Sequence, residues 1–233
     1  MIRLNIYAHR GIFDNENIVE NTIRAFREAL KISVNIELDV RVTKDKEIVV
    51  FHDKDLKRLT GIDKDVKDLT YDELTKITLL NTRDTIPKFE DVLKLVDGKV
   101  KILIEFKEFF SREILKKIDG LLLDYSGEVL LQSFNPFFIK KIAFTSLKRY
   151  EQGILLTNKY KGLRRCFYDV YIYKYILKKR SYDFIACPKE LVFDVRKVTD
   201  KEIFIWTIKT KDEFVKYKKY SNNLICEKKG III

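Results

Sequence analysis

The sequence is short of histidine, cysteine, proline and glycine: its 233 residues include 2, 3, 3 and 8 of them, respectively. The cysteines, Cys166, Cys187 and Cys226, lie far apart and form no Cys-x-x-Cys pair. This pattern argues against a disulfide framework and a thiolate zinc site, and it is typical of a reducing compartment. No apolar run approaches the roughly 18 residues that span a membrane, and the N-terminus lacks a signal-peptide core. We therefore predict a soluble, cytoplasmic protein.

The chain is basic, with a formal net charge of +11. Such a charge attracts anions, whether phosphate substrates, nucleic acid or acidic lipid head groups. However, 35% of the residues are charged and lysine and glutamate are interspersed, as on an ordinary solvated surface. A nucleic-acid-binding protein would need a basic stripe with stacking aromatic residues or a groove-reading motif. The basic residues here are dispersed, so we predict no nucleic-acid partner.

Apolar runs of strand length alternate with helical patterns about every 30 residues. The predicted strands cover residues 3–9, 35–42, 101–107, 128–134, 153–157, 182–187, 203–209 and 224–226. Eight strand–helix units without a linker predict a single α/β domain over residues 1–233, a (β/α)8 TIM barrel. A doubly wound sheet is the alternative. The polar, broken stretch at about 54–87 predicts a small insertion after the second strand.

Polar side chains fall at the carboxyl ends of the predicted strands, the end at which barrel enzymes build their sites. These residues are His9, Glu37, Asp39, Glu105, Lys107 and Ser133. The only two histidines, His9 and His52, both end apolar runs. Glu37 and Asp39 share one face of their strand, because successive side chains alternate. The pattern predicts acid–base chemistry assisted by a metal.

The nature of the metal follows from the predicted ligands. Three carboxylates that converge without partners would repel each other and would be costly to bury. A divalent cation removes this problem, and Mg²⁺ and Ca²⁺ prefer carboxylate oxygens and water. Zinc is disfavoured because it would need more nitrogen or sulfur ligands. Arg10 and Lys107 add positive charge at the same mouth, which suits a phosphate group.

These residues belong to a longer series of motifs whose order and spacing cover most of the chain. In chain order the motifs are His9-Arg10-Gly11, Glu20-Asn21-Thr22, Ile36-Glu37-Leu38-Asp39-Val40, Thr43-Lys44-Asp45, Val49-Val50-Phe51-His52-Asp53 with Leu56 and Arg58, Ile86-Pro87 before Phe89-Glu90-Asp91-Val92-Leu93, Ile104-Glu105-Phe106-Lys107, Ser133-Phe134, and Trp206-Thr207. The series resembles the glycerophosphodiester phosphodiesterase family. The resemblance implies a barrel with an insertion after its second strand.

The resemblance also implies a role for each site residue. It makes Glu37, Asp39 and Glu105 the ligands of a divalent metal, Mg²⁺ or Ca²⁺. It makes His9 and His52 the acid–base pair and places Arg10 and Lys107 on the substrate phosphate. Glu20 is expected close to the site as a supporting group, and Asp53 is expected to orient His52, since a carboxylate commonly fixes an imidazole tautomer.

The implied activity is metal-dependent hydrolysis of glycerophosphodiesters to an alcohol and glycerol phosphate. An alternative is a lysophospholipase D or a phospholipase-C-like enzyme on the same barrel. The aromatic stretch 167–175, followed by basic residues 178–180, favours contact with a lipid surface, although a helix packed on the barrel wall is the plainer interpretation. A degenerate barrel that only binds is disfavoured by the complete catalytic set. The nucleophile, the head group and the oligomeric state stay open.

The sequence departs from the usual family motifs at three places. Val19 stands where a proline precedes the Glu-Asn-Thr motif. Ile208-Lys209 replaces the common Val-Asn after Trp206-Thr207. Cys226-Glu227-Lys228-Lys229 replaces the usual closing Thr-Asp-x-Pro. The last two changes concern the substrate pocket, because these loops help to shape its mouth.

Overall fold

Nine strands form one sheet in the computed structural model, which describes residues 4–158 and 182–227. The strands are β1 Asn5–His9, β2 Asn35–Val42, β3 Ile48–Val50, β4 Ile102–Phe106, β5 Val129–Ser133, β6 Glu151–Leu155, β7 Phe184–Pro188, β8 Glu202–Ile208 and β9 Asn223–Cys226. The predicted strands agree with these bounds to within two residues at each end. The predictions were accurate because buried parallel strands read as continuous apolar runs.

Eight of the strands close into a parallel barrel. The sheet runs in the order β1-β9-β8-β7-β6-β5-β4-β2, and β1 also pairs with β2. The closing pairs are parallel, with Ile6 opposite Leu224 and Ala8 opposite Ile36. Strand β3 pairs antiparallel with β2 and lies outside the closed ring. A doubly wound sheet would have two free edges, so the closure confirms the barrel and excludes the alternative.

Helices connect the barrel strands. They are α1 Ile23–Lys31, α2 Lys57–Thr60, α3 Tyr71–Thr75, α4 Phe89–Val96, α5 Arg112–Leu123, α6 Pro136–Ile142, α7 Val192–Arg196 and α8 Lys211–Tyr217. Hydroxyl and amide side chains start several of them: Thr22, Ser111 and Asn135 each accept a backbone N–H of the first turn. None of the helices among the described residues is long and apolar enough to cross a membrane.

Residues 54–87 add no strand to the barrel and have a small core of their own. Helix α3 begins at a capping box, in which Thr70 and Glu73 satisfy each other's backbone N–H groups. Apolar side chains of this segment, including Leu59 and Ile86, pack together with Phe51 and Val19. The segment therefore lies against the strand ends at His52. The aromatic and basic stretch at 167–180 and Cys166 lie outside the described residues.

The barrel interior is layered, and the layering positions the site. The apolar layer contains Tyr7, Leu103, Leu130, Leu155, Phe184, Ala186, Phe204 and Ile225. Because alternate side chains share a face, the residue two positions later points inward one layer higher. On five strands that residue is polar or can form a hydrogen bond: His9, Glu105, Gln132, Trp206 and Glu227. The apolar layer is thus the floor of a cavity lined with polar groups.

Candidate active site

A cavity of about 640 Å³ opens at the carboxyl ends of the barrel strands. Seven of the predicted site residues line it: His9, Arg10, Glu20, Glu37, His52, Glu105 and Lys107. The other two lie directly behind this lining, Asp39 beneath Arg10 and Lys107, and Asp53 behind His52. The structure therefore brings together all nine residues that the sequence singled out.

Three buried carboxylates lie together on one side of the cavity, above its apolar floor. Strands β2 and β4 are neighbours, with Asp39 opposite Glu105, and one ligand oxygen from each of Glu37, Asp39 and Glu105 lies within 4.8 Å of the others. Burial and the charges of Asp39 and Glu105 raise the pKa of Glu37 well above its usual value. Burial likewise raises the pKa of Glu105 to about 7, against the attraction of Lys107.

This carboxylate cluster fits a divalent cation. The raised pKa values of Glu37 and Glu105 show that ionising all three carboxyls is costly without a positive ion between them. Its donor set is entirely carboxylate oxygen, which Mg²⁺ and Ca²⁺ prefer and which Zn²⁺ does not. The arrangement in the structure thus supports the same class of metal as the sequence.

Lys107 and Arg10 supply positive charge beside the cluster. The Lys107 ammonium lies 2.5 Å from Glu105 Oε1 and 3.3 Å from Asp39 Oδ1. The Arg10 guanidinium contacts Glu20 Oε1 at 2.7 Å, and its Nε lies 3.4 Å from Asp39 Oδ2. Burial opposes ionisation of Asp39, but these two cations outweigh it and hold the pKa of that carboxyl well below its usual range.

The turn at Arg10-Gly11 aims the arginine at the cluster. Arg10 has a φ of +58°, and its backbone N–H donates to Glu37 Oε2 at 3.1 Å. Gly11 follows with a φ of +82°, and a Cβ there would lie 2.8 Å from the Cβ of Ala25 on α1. Both the left-handed conformation and the close approach of α1 therefore require glycine.

His52 is held by a chain of charged groups. Its Nδ1 lies 2.7 Å from Asp53 Oδ1, and Arg58 Nε donates to Asp53 Oδ2 at 2.6 Å. Arg58 also donates to both oxygens of Glu20, at 2.7 and 3.1 Å. Burial opposes ionisation of Glu20, but these bonds outweigh it and lower the pKa of that carboxyl to about 2. With the proton on Nδ1, the Nε2 of His52 is an acceptor.

His9 is held differently. Its Nδ1 has no hydrogen-bond partner within the described part of the chain, and Glu227 Oε2 lies 3.8 Å away. The nearby imidazole and the Lys209 ammonium, 2.9 Å from the same oxygen, lower the pKa of Glu227 to about 2. Burial lowers the pKa of His9, as it does for His52. Both imidazoles are therefore poised to be neutral near pH 7.

Sequence reasoning did not assign a role to several residues of the cavity. Gln132 Oε1 and Trp206 Nε1 are buried there and lack a hydrogen-bond partner among residues 4–158 and 182–227. Asn15 and Asn21 steady the carboxylates, donating to Glu20 Oε2 at 2.9 Å and to Asp39 Oδ2 at 2.8 Å. The available signal for Gln132 was its position near the carboxyl end of β5, where it lies opposite Glu105.

Comparisons with known proteins agree with this geometry. Residues 9–226 match the model of the glycerophosphoryl diester phosphodiesterase family. A glycerophosphodiester phosphodiesterase of Caldanaerobacter subterraneus is 33% identical over 149 residues, 59% of this chain and 60% of the relative. Human lysophospholipase D GDPD1 is 48% identical over 136 residues, 53% of this chain and 42% of the relative. The matched segments thus span less than two thirds of either relative.

Solved structures share the fold over nearly the whole length. The glycerophosphodiester phosphodiesterase of Thermotoga maritima superposes with a TM-score of 0.71 and 25% identity, covering 97% of this chain and 95% of that one. An Oleispira antarctica phosphodiesterase, solved with the product sn-glycerol-3-phosphate, has a TM-score of 0.75 at 17% identity, covering 95% and 92%. These structures confirm the barrel, and the family match over residues 9–226 confirms the predicted family. The chain belongs to the glycerophosphoryl diester phosphodiesterase family, a family of phosphoric diester hydrolases.

Proposed function

We propose that this protein hydrolyses glycerophosphodiesters to an alcohol and glycerol phosphate. The observation that carries the proposal is the convergence of two imidazoles, three buried carboxylates and two cations on one cavity. The family match and the Thermotoga and Oleispira phosphodiesterases support the same chemistry. The product in the Oleispira structure indicates glycerol phosphate as the released fragment.

Glu37, Asp39 and Glu105 would hold a divalent cation, Mg²⁺ or Ca²⁺. When bound, such an ion supplies charge stabilisation to a phosphodiester as negative charge builds on its oxygens. Arg10 and Lys107 face the same space from the other side of the carboxylates. Their charges would bind the non-bridging phosphate oxygens, with Arg10 able to bind two at once.

The two histidines would move the protons. One imidazole, in its neutral form, accepts a proton from the nucleophile, which is water or the neighbouring glycerol hydroxyl. The other first binds a proton from solvent, and as the imidazolium it donates its Nε2 proton to the leaving oxygen. With the hydroxyl as nucleophile, a cyclic phosphate forms first and water then opens it. Lowered pKa values keep an imidazole neutral and able to act as a base near pH 7. Asp53 would stabilise the imidazolium that forms at His52.

Gln132 and Trp206 would recognise the glycerol part of the substrate. One offers a free acceptor, Gln132 Oε1, and the other a free donor, Trp206 Nε1, and both line the cavity. A buried polar atom without a partner is costly, and a substrate hydroxyl would satisfy it. A glycerol moiety has hydroxyls that both accept and donate, so it matches the pair.

A lysophospholipid is the second candidate substrate. Human lysophospholipase D GDPD1 is similar to just over half of the chain, and the wall of the cavity carries Phe13, Phe134 and Trp206. Phe134 and Trp206 meet edge to face, with ring centroids 5.8 Å apart. Such a wall could contact the first part of an acyl chain. The predicted contact with a lipid surface and the cytoplasmic location both remain predictions.

The test is an assay of the purified protein on a panel of glycerophosphodiesters and lysophospholipids, with Mg²⁺, Ca²⁺ or a chelator. We expect release of glycerol phosphate that the chelator abolishes. His9→Ala and His52→Ala should each lose about 10²- to 10⁴-fold in kcat while circular dichroism stays native. A matched pair of variants tests the metal site: Glu37→Gln should lose activity, and Glu113→Gln on the exposed start of α5 should keep it. An active His52→Ala protein would contradict the proposal.

A further inference from the structure

The two histidines of the site differ in how their Nδ1 atoms are supported. His52 has a hydrogen bond of 2.7 Å to Asp53, and Arg58 holds Asp53 in place at 2.6 Å. His9 Nδ1 is buried and has no bond of this kind within residues 4–158 and 182–227. The acceptor that faces it is Glu227 Oε2 at 3.8 Å, about 0.6 Å beyond hydrogen-bonding distance.

Glu227 is held at this distance by two contacts. Its backbone N–H donates to the Ile208 carbonyl at 2.9 Å, which extends the pairing of β8 with β9. The Lys209 ammonium lies 2.9 Å from the carboxylate oxygen that faces His9. The carboxylate and its cation thus repeat, on His9, the arrangement of Asp53 and Arg58 on His52.

Lys209 and Glu227 are also the positions at which the last two family motifs are altered in this chain. In the structure these two changes contact each other, because Ile208 and Cys226 are paired on neighbouring strands. A lysine beside the histidine would on its own add an unpaired positive charge. Glu227 keeps the carboxylate of the family's Thr-Asp motif, and it forms an ion pair with Lys209 that neutralises this charge.

We propose that Glu227 is the positioning residue of His9 and that Lys209 fixes Glu227 for this task. Glu227 Oε2 lies about 0.6 Å beyond hydrogen-bonding distance of Nδ1, and catalytic hydrogen bonds commonly tighten when substrate fills a site. The Nε2 of His9 is then the unprotonated atom. This assignment rests on the proposed function only in its kinetic part, because the support of the imidazole exists without turnover.

The competing explanation is that Lys209 and Glu227 form an ordinary surface ion pair. Such pairs contribute little to stability and would leave the tautomer of His9 unchanged. The tautomer of the neutral His9 imidazole separates the two explanations, since an ion pair that does not bind the Nδ1–H does not select one tautomer. The histidine signals are simple to assign, because the sequence contains only two histidines.

The first experiment is nitrogen NMR of protein labelled at histidine, in which His52→Ala assigns the two rings. We expect His9 to be held with its proton on Nδ1 in the native protein and to become a mixture of tautomers in Glu227→Ala. Asp53→Asn is the matched control and should disturb only the His52 signals. Native His52 signals in Glu227→Ala also show that this variant has folded. Unchanged His9 signals in Glu227→Ala would overturn the proposal.

The second experiment is steady-state kinetics on a glycerophosphodiester. Glu227→Ala should lower kcat about 10- to 100-fold, the range for loss of a group that orients a functional histidine, with KM within about threefold. Lys209→Met should show a smaller fall in kcat of the same kind. Lys211→Met and Asp212→Ala, exposed at the start of α8, are the controls and should match the native protein.

The two proposals fail in different ways. A native protein that is inactive on every phosphodiester, but whose His9 tautomer depends on Glu227, would overturn the function and leave the positioning role standing. An active protein whose kcat is unchanged in Glu227→Ala would overturn the positioning role and leave the function standing.

Discussion

Replacing Glu105 by glutamine should make the metal-free protein more stable near neutral pH. Glu105 is buried beside Glu37 and Asp39, and its side chain is 8% exposed. Burial is the main reason that the pKa of Glu105 rises to about 7 from its ordinary value of 4.5. Glutamine keeps the size of the side chain and removes the charge, so it isolates the cost of ionising this carboxyl inside the barrel.

The sign and size of the effect follow from linkage. Between pH 4.5 and 7 the native Glu105 keeps a proton that the unfolded chain has released, so stability falls as the pH rises through this window. At about 1.36 kcal/mol per pH unit, the fall is about 3 kcal/mol. Glu37 enlarges this fall in stability, because the charge of Glu105 helps to raise the pKa of Glu37.

The assay is urea unfolding of the native protein and Glu105→Gln at pH 4.5 and pH 7.5 in chelator. The difference between the two proteins should change by about 3 kcal/mol between these pH values. The comparison also removes the contribution of the two histidines, because both proteins contain them. Their lowered pKa values make stability rise with pH, opposite to the effect of Glu105. Glu113→Gln, an exposed carboxyl, is the control and should not change the slope. Adding Mg²⁺ or Ca²⁺ at 100 times its Kd should stabilise the native protein by about 2.7 kcal/mol.

Two results would refute this reasoning. Equal pH slopes for the native protein and Glu105→Gln in chelator would mean that burial does not penalise the ionised Glu105. Equal stabilisation of both proteins by Mg²⁺ or Ca²⁺ would mean that Glu105 does not bind the cation.

Three further predictions test other parts of the site. Arg58→Met should lower kcat about tenfold without unfolding the protein, because Arg58 holds the carboxylate behind His52; steady-state kinetics and circular dichroism check this. Gln132→Leu should raise KM for glycerophosphodiesters more than it lowers kcat, because it removes an acceptor for a substrate hydroxyl, and the ratio of the two constants measures it. Gly11→Ala should destabilise the protein by about 2–4 kcal/mol and Gly61→Ala by about 1 kcal/mol in urea unfolding, since both have positive φ but only Gly11 faces a close neighbour.

Sequence reasoning predicted the position of a residue where that position depends on local order along the chain. Glu37 and Asp39 share a strand face, and Asp53 directly follows the histidine that it supports. The barrel also follows from local patterns, because apolar runs of strand length recur at a regular spacing. These features need only the two-residue period of a strand and the rule that barrel sites lie at the strand ends.

Sequence reasoning did not predict contacts that depend on the register between segments far apart in the chain. His9 and Glu227 meet because β1 and β9 close the barrel, and no pattern in the sequence sets that register. The support of His52 by Arg58 depends on how the segment at 54–87 folds onto the strand ends. Gln132 carries no charge, so nothing but its place at the end of β5 distinguished it from a solvent-facing amide.

The order of strands in the barrel explains why the altered motifs lie apart from the carboxylate cluster. The carboxylate cluster lies on β2 and β4, whereas both altered motifs end the neighbouring strands β8 and β9. A change at the end of one strand meets the end of the next, so a lysine at 209 can be matched by a carboxylate at 227. The unit to compare between relatives is therefore the contacting pair across two strands. Compared one motif at a time, Lys209 would be read as a change without a partner, although Glu227 on the next strand pairs with it.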